Sequence, residues 1–134
     1  MTAPVLARQN EKGNHHADWV VFCKNGTDAT TMAMTAARAH TQKRKILVAK
    51  KAYHGAAPWC TPILNGTVPE ERAHILQYEY NNPTSLEEAF RAAGDDVAGV
   101  FASAFRHDVF EDQELPSVEY AKLLARFATV PEPC

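Results

Sequence analysis

The sequence lacks three features that would place it at once in a broad class of proteins. No apolar run approaches the about 20 residues that a membrane-spanning helix needs, and the N-terminus lacks the basic-then-apolar order of a secretion signal. The 14 lysines and arginines are outnumbered by 16 acidic residues, for a formal net charge of -2. Nucleic acids and anionic membranes attract clustered positive charge, so neither is expected as a main partner. We expect a cytoplasmic protein.

Cysteine is also scarce. The three cysteines, Cys23, Cys60 and Cys134, stand far apart, so the chain has no C-x-x-C metal or redox pair. His15 and His16 are adjacent but have no third ligand nearby in the sequence, which is more typical of surface residues than of a metal site. We therefore predict reduced thiols and no metal centre.

What is present is an ordinary globular composition. The 134 residues are 46% hydrophobic and 22% charged, which suits one domain with a core. Residues 1–17 show little periodicity and are predicted to be a mobile lead-in. Residues 18–127 are predicted to form the domain, and residues 128–134, with two prolines, an irregular tail.

The domain is organised around a glycine turn at residues 25–27. An apolar run at 19–23 precedes the turn, a helical pattern follows it, and a second apolar run comes at 45–49, so a βαβ unit is predicted. Gly26 allows backbone angles closed to other residues, and Thr27 or Asp28 is expected to cap the helix. Such a turn suits a phosphate, because helix N-termini present unpaired N–H groups. It is also how many ordinary helices begin.

The helix after the turn has an apolar face made of small residues, spaced three and four apart: Ala29, Met32, Ala33, Ala36, Ala37 and His40. A face of alanines can approach a sheet closely, so we predict that it packs flat on a parallel sheet. An amphipathic helix with no role in binding is equally consistent with this pattern.

The loop after the second run carries Tyr53, His54 and Gly55. In an open parallel sheet, ligands bind beyond the carboxyl ends of the strands, where both this loop and the glycine turn are predicted to lie. An aromatic ring beside a phosphate-binding turn can stack on a flat heterocycle that carries the phosphate.

Further elements follow in the order strand, helix, strand, helix. A strand is predicted at 74–80, and a capping box that begins at Ser85 is predicted to start a helix that Gly94 ends. Another strand is predicted at 97–102, and a last helix from Pro116. The predicted fold class is α/β, with a mostly parallel sheet flanked by helices.

The order N-G-T-D-A, helix, A-R-A-H-T, strand, A-Y-H-G, from about Trp19 to Pro62, resembles the class III (fold type I) pyridoxal-phosphate aminotransferases, in particular the glutamate-semialdehyde aminomutase-like branch. The resemblance implies a partial large domain and pyridoxal 5'-phosphate as cofactor. It implies that Asn25, Gly26 and Thr27 receive the phosphate, that Tyr53 stacks on the pyridine ring and that His54 lies beside it.

The resemblance also implies two groups that this chain does not supply. The family's Schiff-base lysine and the aspartate that holds the pyridine nitrogen come after the region that ends here, so we expect a truncated chain that is inactive alone. Lys50 and Lys51 follow the second strand but lack the sequence context of the family's lysine. Arg106 could pair with a substrate carboxylate, or belong to a local surface network.

Several functions stay open at this point. The resemblance implies amino-group transfer between an amino acid or amine and a keto acid or aldehyde, by a homo-oligomer or dimer. The alternatives are intramolecular amine transfer, as in an aminomutase, and a non-catalytic module that binds phosphate or the cofactor. An unrelated α/β phosphate-binding domain is a further possibility.

Overall fold

The computed structural model describes residues 21–106 and 112–128. The elements of this part are, in chain order, α1 (Gly26–Thr41), β1 (Lys45–Ala49), a 3-10 helix (Pro69–Arg72), β2 (Ile75–Tyr78), α2 (Pro83–Ala93), β3 (Val97–Phe101) and α3 (Val118–Ala128). The predicted lead-in at 1–17 with its two histidines, and residues 129–134 of the predicted tail, lie outside the described residues. No described helix is long and apolar enough to cross a membrane.

The three strands form one parallel sheet in the order β2-β1-β3. The central strand β1 pairs Ile46 with Ile75 on one side and with Gly99 on the other. Residues 46–49 of β1 are all buried, as expected for a parallel strand covered on both faces. The predicted fold class is therefore confirmed.

Helices cover both faces of this sheet, but unequally. On one face, α2 and α3 close the larger apolar cluster, which consists of Leu47, Ala49, Tyr78, Leu86, Ala89, Ala93, Tyr120 and Leu123. On the other face, α1 and the loop after β1 close a smaller cluster of Met34, Ile46, Val48, Trp59, Cys60 and Ala98. This smaller cluster lies on the face where the predicted site is built.

The prediction of a strand at 19–23 is wrong for residues 21–23, the part that the structure describes. Residues 21–23 are irregular, and Phe22 is 72% exposed. A strand exists only where a neighbour takes its backbone hydrogen bonds, and residues 21–23 pair with none of the three described strands. Trp19 and Val20 lie outside the described residues.

The predicted buried face of α1 is also largely wrong. Met32, Ala33 and Ala36 are exposed, and the buried residue of the helix is Met34. Alanines contribute little apolar area, so they do not decide which way a helix turns. The observed face includes threonines whose hydroxyl groups bond to the loop after β1.

The later elements agree with the prediction except at two helix starts. The last helix, α3, begins at Val118, two residues after the predicted Pro116. Gly94 ends α2 with a φ of 63°, as predicted. The capping box at Ser85 is wrong, because Asn82 caps α2 three residues earlier and accepts the N–H of Ser85 at 3.0 Å. Ser85 instead accepts the N–H of Glu79 through its hydroxyl at 3.0 Å, which joins the helix start to the end of β2.

Candidate functional site

The turn at residues 25–27, called the N-cap turn below, begins α1 at the carboxyl end of the sheet. Asn25 is the N-cap, and its side-chain oxygen accepts the N–H of Asp28 at 2.9 Å. The predicted cap at Thr27 or Asp28 is therefore wrong. Asparagine is among the best capping residues, and its carboxamide reaches the third helical N–H without strain.

Gly26 is the first residue of α1 and does not have a positive φ. The predicted need for special backbone angles is wrong, because a residue in the first helical turn takes ordinary helical angles. A Cβ built on Gly26 would meet nothing within 4 Å, so the turn is open at this position. The N–H groups of Gly26 and Thr27 have no partner within the helix, since they lie in its first turn. They form a small cradle at the positive end of the helix dipole.

The loop at residues 53–56, called the aromatic loop below, follows β1 and lies against the N-cap turn. Thr30 donates its hydroxyl hydrogen bond to the carbonyl oxygen of His54 over 2.7 Å. Thr27 accepts the N–H of Ala56 through its hydroxyl oxygen over 3.0 Å. Two hydrogen bonds between residues far apart in the sequence therefore join the loop to the helix start.

Aromatic rings support the loop from the sheet side. Phe101, the last residue of β3, has its ring centroid 5.6 Å from that of His54 and 5.3 Å from that of Trp59. The indole N–H of Trp59 donates to the Thr31 hydroxyl over 3.2 Å, which ties this aromatic group back to α1. The carboxyl ends of β1 and β3 and the start of α1 thus meet at one place.

The structure brings the predicted site residues to this place. Asn25, Gly26 and Thr27 form the N-cap turn, and the carbonyl oxygen of His54 accepts a hydrogen bond from Thr30, which lies just after that turn in α1. Tyr53 stands next to His54 in the loop with 46% of its surface exposed, so part of the ring is open to a ligand.

Cys60 lies beneath the aromatic loop and is buried. Burial raises the pKa of its thiol, and the thiol donates a hydrogen bond to the carbonyl oxygen of Ala57. A thiol that stays protonated is a poor nucleophile, so Cys60 serves packing rather than covalent chemistry.

Two cationic side chains considered from the sequence are held elsewhere. Lys50 forms an ion pair with Glu79 at the surface. The Arg106 guanidinium lies 3.8 Å from the carboxylate of Glu114, and the Arg106 N–H donates to the Glu114 carbonyl oxygen over 2.7 Å. This geometry favours the local surface network over a substrate carboxylate for Arg106; its neighbours at 107 and 108 lie outside the described residues.

Sequence reasoning missed the contribution of three residues. Thr30 and Thr31 were not singled out, although they stand three and four residues after Thr27 and therefore lie on the same side of the helix. The apolar pattern at 97–102 includes Phe101 but predicts only a strand there. The position of Phe101 at the carboxyl end of a predicted strand was the available signal.

Solved structures share this fold. The FumI protein of Sphingopyxis sp. MTA144, in its PLP internal aldimine form, matches 84% of this chain with a TM-score of 0.80 and 53% sequence identity. A transaminase with PLP bound matches 78% of the chain with a TM-score of 0.68 and 28% identity. In each case the chain covers 27% of the solved protein. The fold is therefore that of a portion of a transaminase.

Curated relatives agree. An aminopentol aminotransferase of Sphingopyxis macrogoltabida is 55% identical over 107 residues, which are 80% of this chain and 25% of the relative. A 3-aminobutyryl-CoA aminotransferase of Cloacimonas acidaminovorans is 33% identical over 83% of this chain and 26% of its own length. A glutamate-1-semialdehyde 2,1-aminomutase of Natronomonas pharaonis is 35% identical over 72% of this chain and 26% of its own length. No family model matches the chain.

The chain spans about a quarter of the length of the curated relatives that it matches. By sequence and by fold it is homologous to a portion of the aminotransferases and glutamate-semialdehyde aminomutases. The sequence-based assignment to this family is confirmed.

Proposed function

We propose that this chain carries the phosphate-binding and ring-stacking part of an aminotransferase's pyridoxal 5'-phosphate site. The N–H groups of Gly26 and Thr27 receive the phosphate, Tyr53 covers one face of the ring, and His54 lies beside it. The observation that carries the proposal is the open cradle of the N-cap turn, to which the aromatic loop is tied by two hydrogen bonds.

The residues present fit the phosphate end of the cofactor. A Cβ at Gly26 would project into open space, so a phosphate oxygen can approach the backbone there. Asn25 uses its side chain to satisfy Asp28, which leaves the preceding N–H groups directed at the ligand. An anion at a helix N-terminus is stabilised by about 0.3–1 kcal/mol from the helix dipole, in addition to its hydrogen bonds.

The cofactor supplies an aldehyde that condenses with amines and a pyridine ring that withdraws electrons from them. The residues of this chain bind and orient it. The N-cap turn fixes the phosphate, and Tyr53 sets the plane of the ring. The proposal assigns these residues binding and orientation, and no proton transfer.

The activity of a complete relative is part of the proposal. It is amino-group transfer between an amino acid or amine and a keto acid or aldehyde, supported by relatives named as aminotransferases. Intramolecular transfer is the second possibility, supported by the relatives named as aminomutases. A cytoplasmic location is proposed with it.

A non-catalytic binding module is the alternative function for this chain. It is favoured by the position of Lys50, which follows β1 at the site end of the sheet but is paired with Glu79. The ion pair with a surface carboxylate engages the Lys50 side chain, so it is not presented as a Schiff-base amine.

Association of copies of the chain is also proposed. In the described sheet, β3 has a neighbour on one side only, and a groove of about 770 Å³ runs beside it, lined in part by Phe90, Val100 and Phe127. An apolar sheet edge of this kind favours association. Sedimentation velocity should show dimers or larger species. A monodisperse monomer with a cooperative melt would contradict this part of the proposal.

Binding is tested with pyridoxamine 5'-phosphate, which has the ring and the phosphate but no aldehyde that labels surface lysines. Titration calorimetry should show binding of this ligand and weaker binding of pyridoxamine without the phosphate. Asn25→Ala, which removes the cap, should weaken binding. Asn65→Ala, in an exposed loop, is the matched control. Equal affinity with and without the phosphate would contradict the proposed turn.

Catalytic competence is tested separately, by adding pyridoxal phosphate and reducing with borohydride. A lysine-linked adduct at a single position would favour a working enzyme. Scattered or no labelling would exclude catalysis by this chain alone and favour the non-catalytic module.

A further inference from the structure

The Thr30 hydroxyl lies among three carbonyl oxygens but has one proton to donate. The oxygens of Gly26 and Thr27, in its own helix, are 3.0 and 3.2 Å away, whereas that of His54 is 2.7 Å away. A helical threonine commonly bonds to the carbonyl four residues earlier. Here the shortest contact crosses to the aromatic loop, so this hydroxyl joins the loop to the helix.

Gly55 belongs to the loop side of this contact between the aromatic loop and the start of α1. Its φ of +138° is one that residues with a Cβ rarely adopt. A Cβ there would lie 2.8 Å from the Thr27 hydroxyl oxygen, 3.0 Å from the Thr27 Cα and 3.1 Å from the Cys60 sulfur. The loop can lie this close to the N-cap turn only because position 55 has no side chain.

We propose that Thr30 and Gly55 are positioning residues that lock the aromatic loop to the N-cap turn and so set Tyr53 at the spacing of one phosphorylated heterocycle. This inference rests on the proposed function. Neither residue need touch the ligand. They determine how well one molecule reaches the phosphate cradle and the tyrosine ring together.

The attachment of the aromatic loop to the N-cap turn by Thr30 and Gly55, called the lock below, predicts a distinct pattern of ligand affinities. A ligand that uses two subsites gains affinity over either part alone when the subsites are held at the right spacing. Releasing the loop should remove that gain while leaving the phosphate cradle intact. Affinity for pyridoxamine 5'-phosphate should fall, whereas affinity for inorganic phosphate should stay nearly constant.

Thr30→Val tests the hydroxyl, because valine keeps the shape and removes the donor. We expect about 3- to 10-fold weaker binding of pyridoxamine 5'-phosphate and less than about 2-fold change for inorganic phosphate, from the usual strength of one hydrogen bond. Thr30→Ser should restore most of the affinity. Thr35→Val is the matched control on α1, because among the residues that the structure describes the Thr35 hydroxyl bonds only to the carbonyl oxygen of Thr31, at 2.9 Å.

Gly55→Ala tests the close approach. Gly66→Ala is its control, because Gly66 also has a positive φ, of 86°, but open space around its Cβ position. Both variants carry backbone strain, and only Gly55→Ala adds the clash with Thr27. We expect a loss of at least about 10-fold in pyridoxamine 5'-phosphate affinity for Gly55→Ala alone.

A ligand-free readout separates this inference from the proposed function. The Ala56 N–H, bonded to Thr27, should exchange with deuterium faster in Thr30→Val and Gly55→Ala than in either control. Unchanged exchange of the Ala56 N–H in both variants would contradict the proposed positioning role. An equal loss of affinity for pyridoxamine 5'-phosphate and for inorganic phosphate in Thr30→Val would contradict it as well. If the wild-type chain binds neither ligand, the proposed function fails, and the role of the lock in binding fails with it.

Discussion

The two faces of the sheet are held by different kinds of contact. On the α2 and α3 face, buried Leu86, Tyr120 and Leu123 pack against the strands. On the α1 face, one buried methionine is supplemented by threonine hydrogen bonds to the aromatic loop. Apolar packing tolerates small shifts, whereas a hydrogen bond fixes a distance and an angle. We therefore expect the first face to supply most of the stability and the second to set the geometry of the candidate site.

The largest effect is expected on the packed face. Leu86 is fully buried, so Leu86→Ala should lower the free energy of unfolding by about 2–5 kcal/mol through lost burial and a cavity. Urea denaturation measures this. Leu115, which is 79% exposed, gives the control, and Leu115→Ala should change stability by less than about 0.5 kcal/mol. Similar losses in both would show that the packed face is not the main source of stability.

The next effect is expected at the tyrosine pair of the same face. Tyr120 donates to the Tyr78 hydroxyl over 2.9 Å, and Tyr78 donates to the Phe101 carbonyl over 3.2 Å. Burial, together with the Tyr120 hydroxyl, raises the pKa of Tyr78, so the phenol stays neutral. Tyr78→Phe leaves both partners unsatisfied and should cost about 1–3 kcal/mol.

A double-mutant cycle with Tyr120→Phe isolates the contact between the two hydroxyl groups. The double variant should lose less than the sum of the single losses, because each single change already breaks the shared bond. Strict additivity would show that the two hydroxyls do not interact.

A smaller effect is expected on the α1 face. Thr31→Val removes the acceptor for the Trp59 indole N–H and should cost about 0.5–1.5 kcal/mol. Thr31→Ser keeps the acceptor and should restore the loss. Thermal melts compare the three proteins. No difference between the valine and serine variants would mean that this hydrogen bond does not contribute to the attachment of α1.

The smallest effect is expected at the surface, away from the site. Arg44 donates to the Asp96 carboxylate at 2.9 Å and lowers the pKa of Asp96. A lowered folded-state pKa contributes stability above the ordinary carboxyl value, about 4, and that stability is lost as the pH falls through the folded value. Asp96→Asn should therefore melt slightly below the wild type at pH 7, and the difference should vanish in acid. A difference that persists or grows in acid would contradict the assignment.

How well the sequence predicts the fold differs between the same two faces. The strands at 45–49, 75–78 and 97–101 follow from apolar runs, because bulky buried residues dominate them. The face of α1 does not, since alanines carry a weak signal and threonines face inward for their hydroxyl groups. A propensity pattern cannot represent a hydrogen bond to a loop 24 residues away, such as that from Thr30 to His54.

The sequence predicted that the N-cap turn and the aromatic loop lie close together, but not the detailed geometry of either. The motif placed Asn25, Gly26, Thr27, Tyr53 and His54 in one region, and the structure brings the N-cap turn and the aromatic loop together. The cap and the reason for the glycine were misassigned, because both depend on which residue begins the helix. Helix ends are fixed by local geometry that periodicity does not specify.

The central claim is that the N-cap turn and Tyr53 together hold one phosphorylated heterocycle. The most direct test is to follow the backbone amide signals by NMR while pyridoxamine 5'-phosphate is added. The account predicts that Gly26 and Thr27 shift most, that residues 53–56 shift with them at the same ligand concentration, and that inorganic phosphate shifts only the first group. Shifts concentrated along the groove beside β3, with none at Gly26 or Thr27, would contradict it.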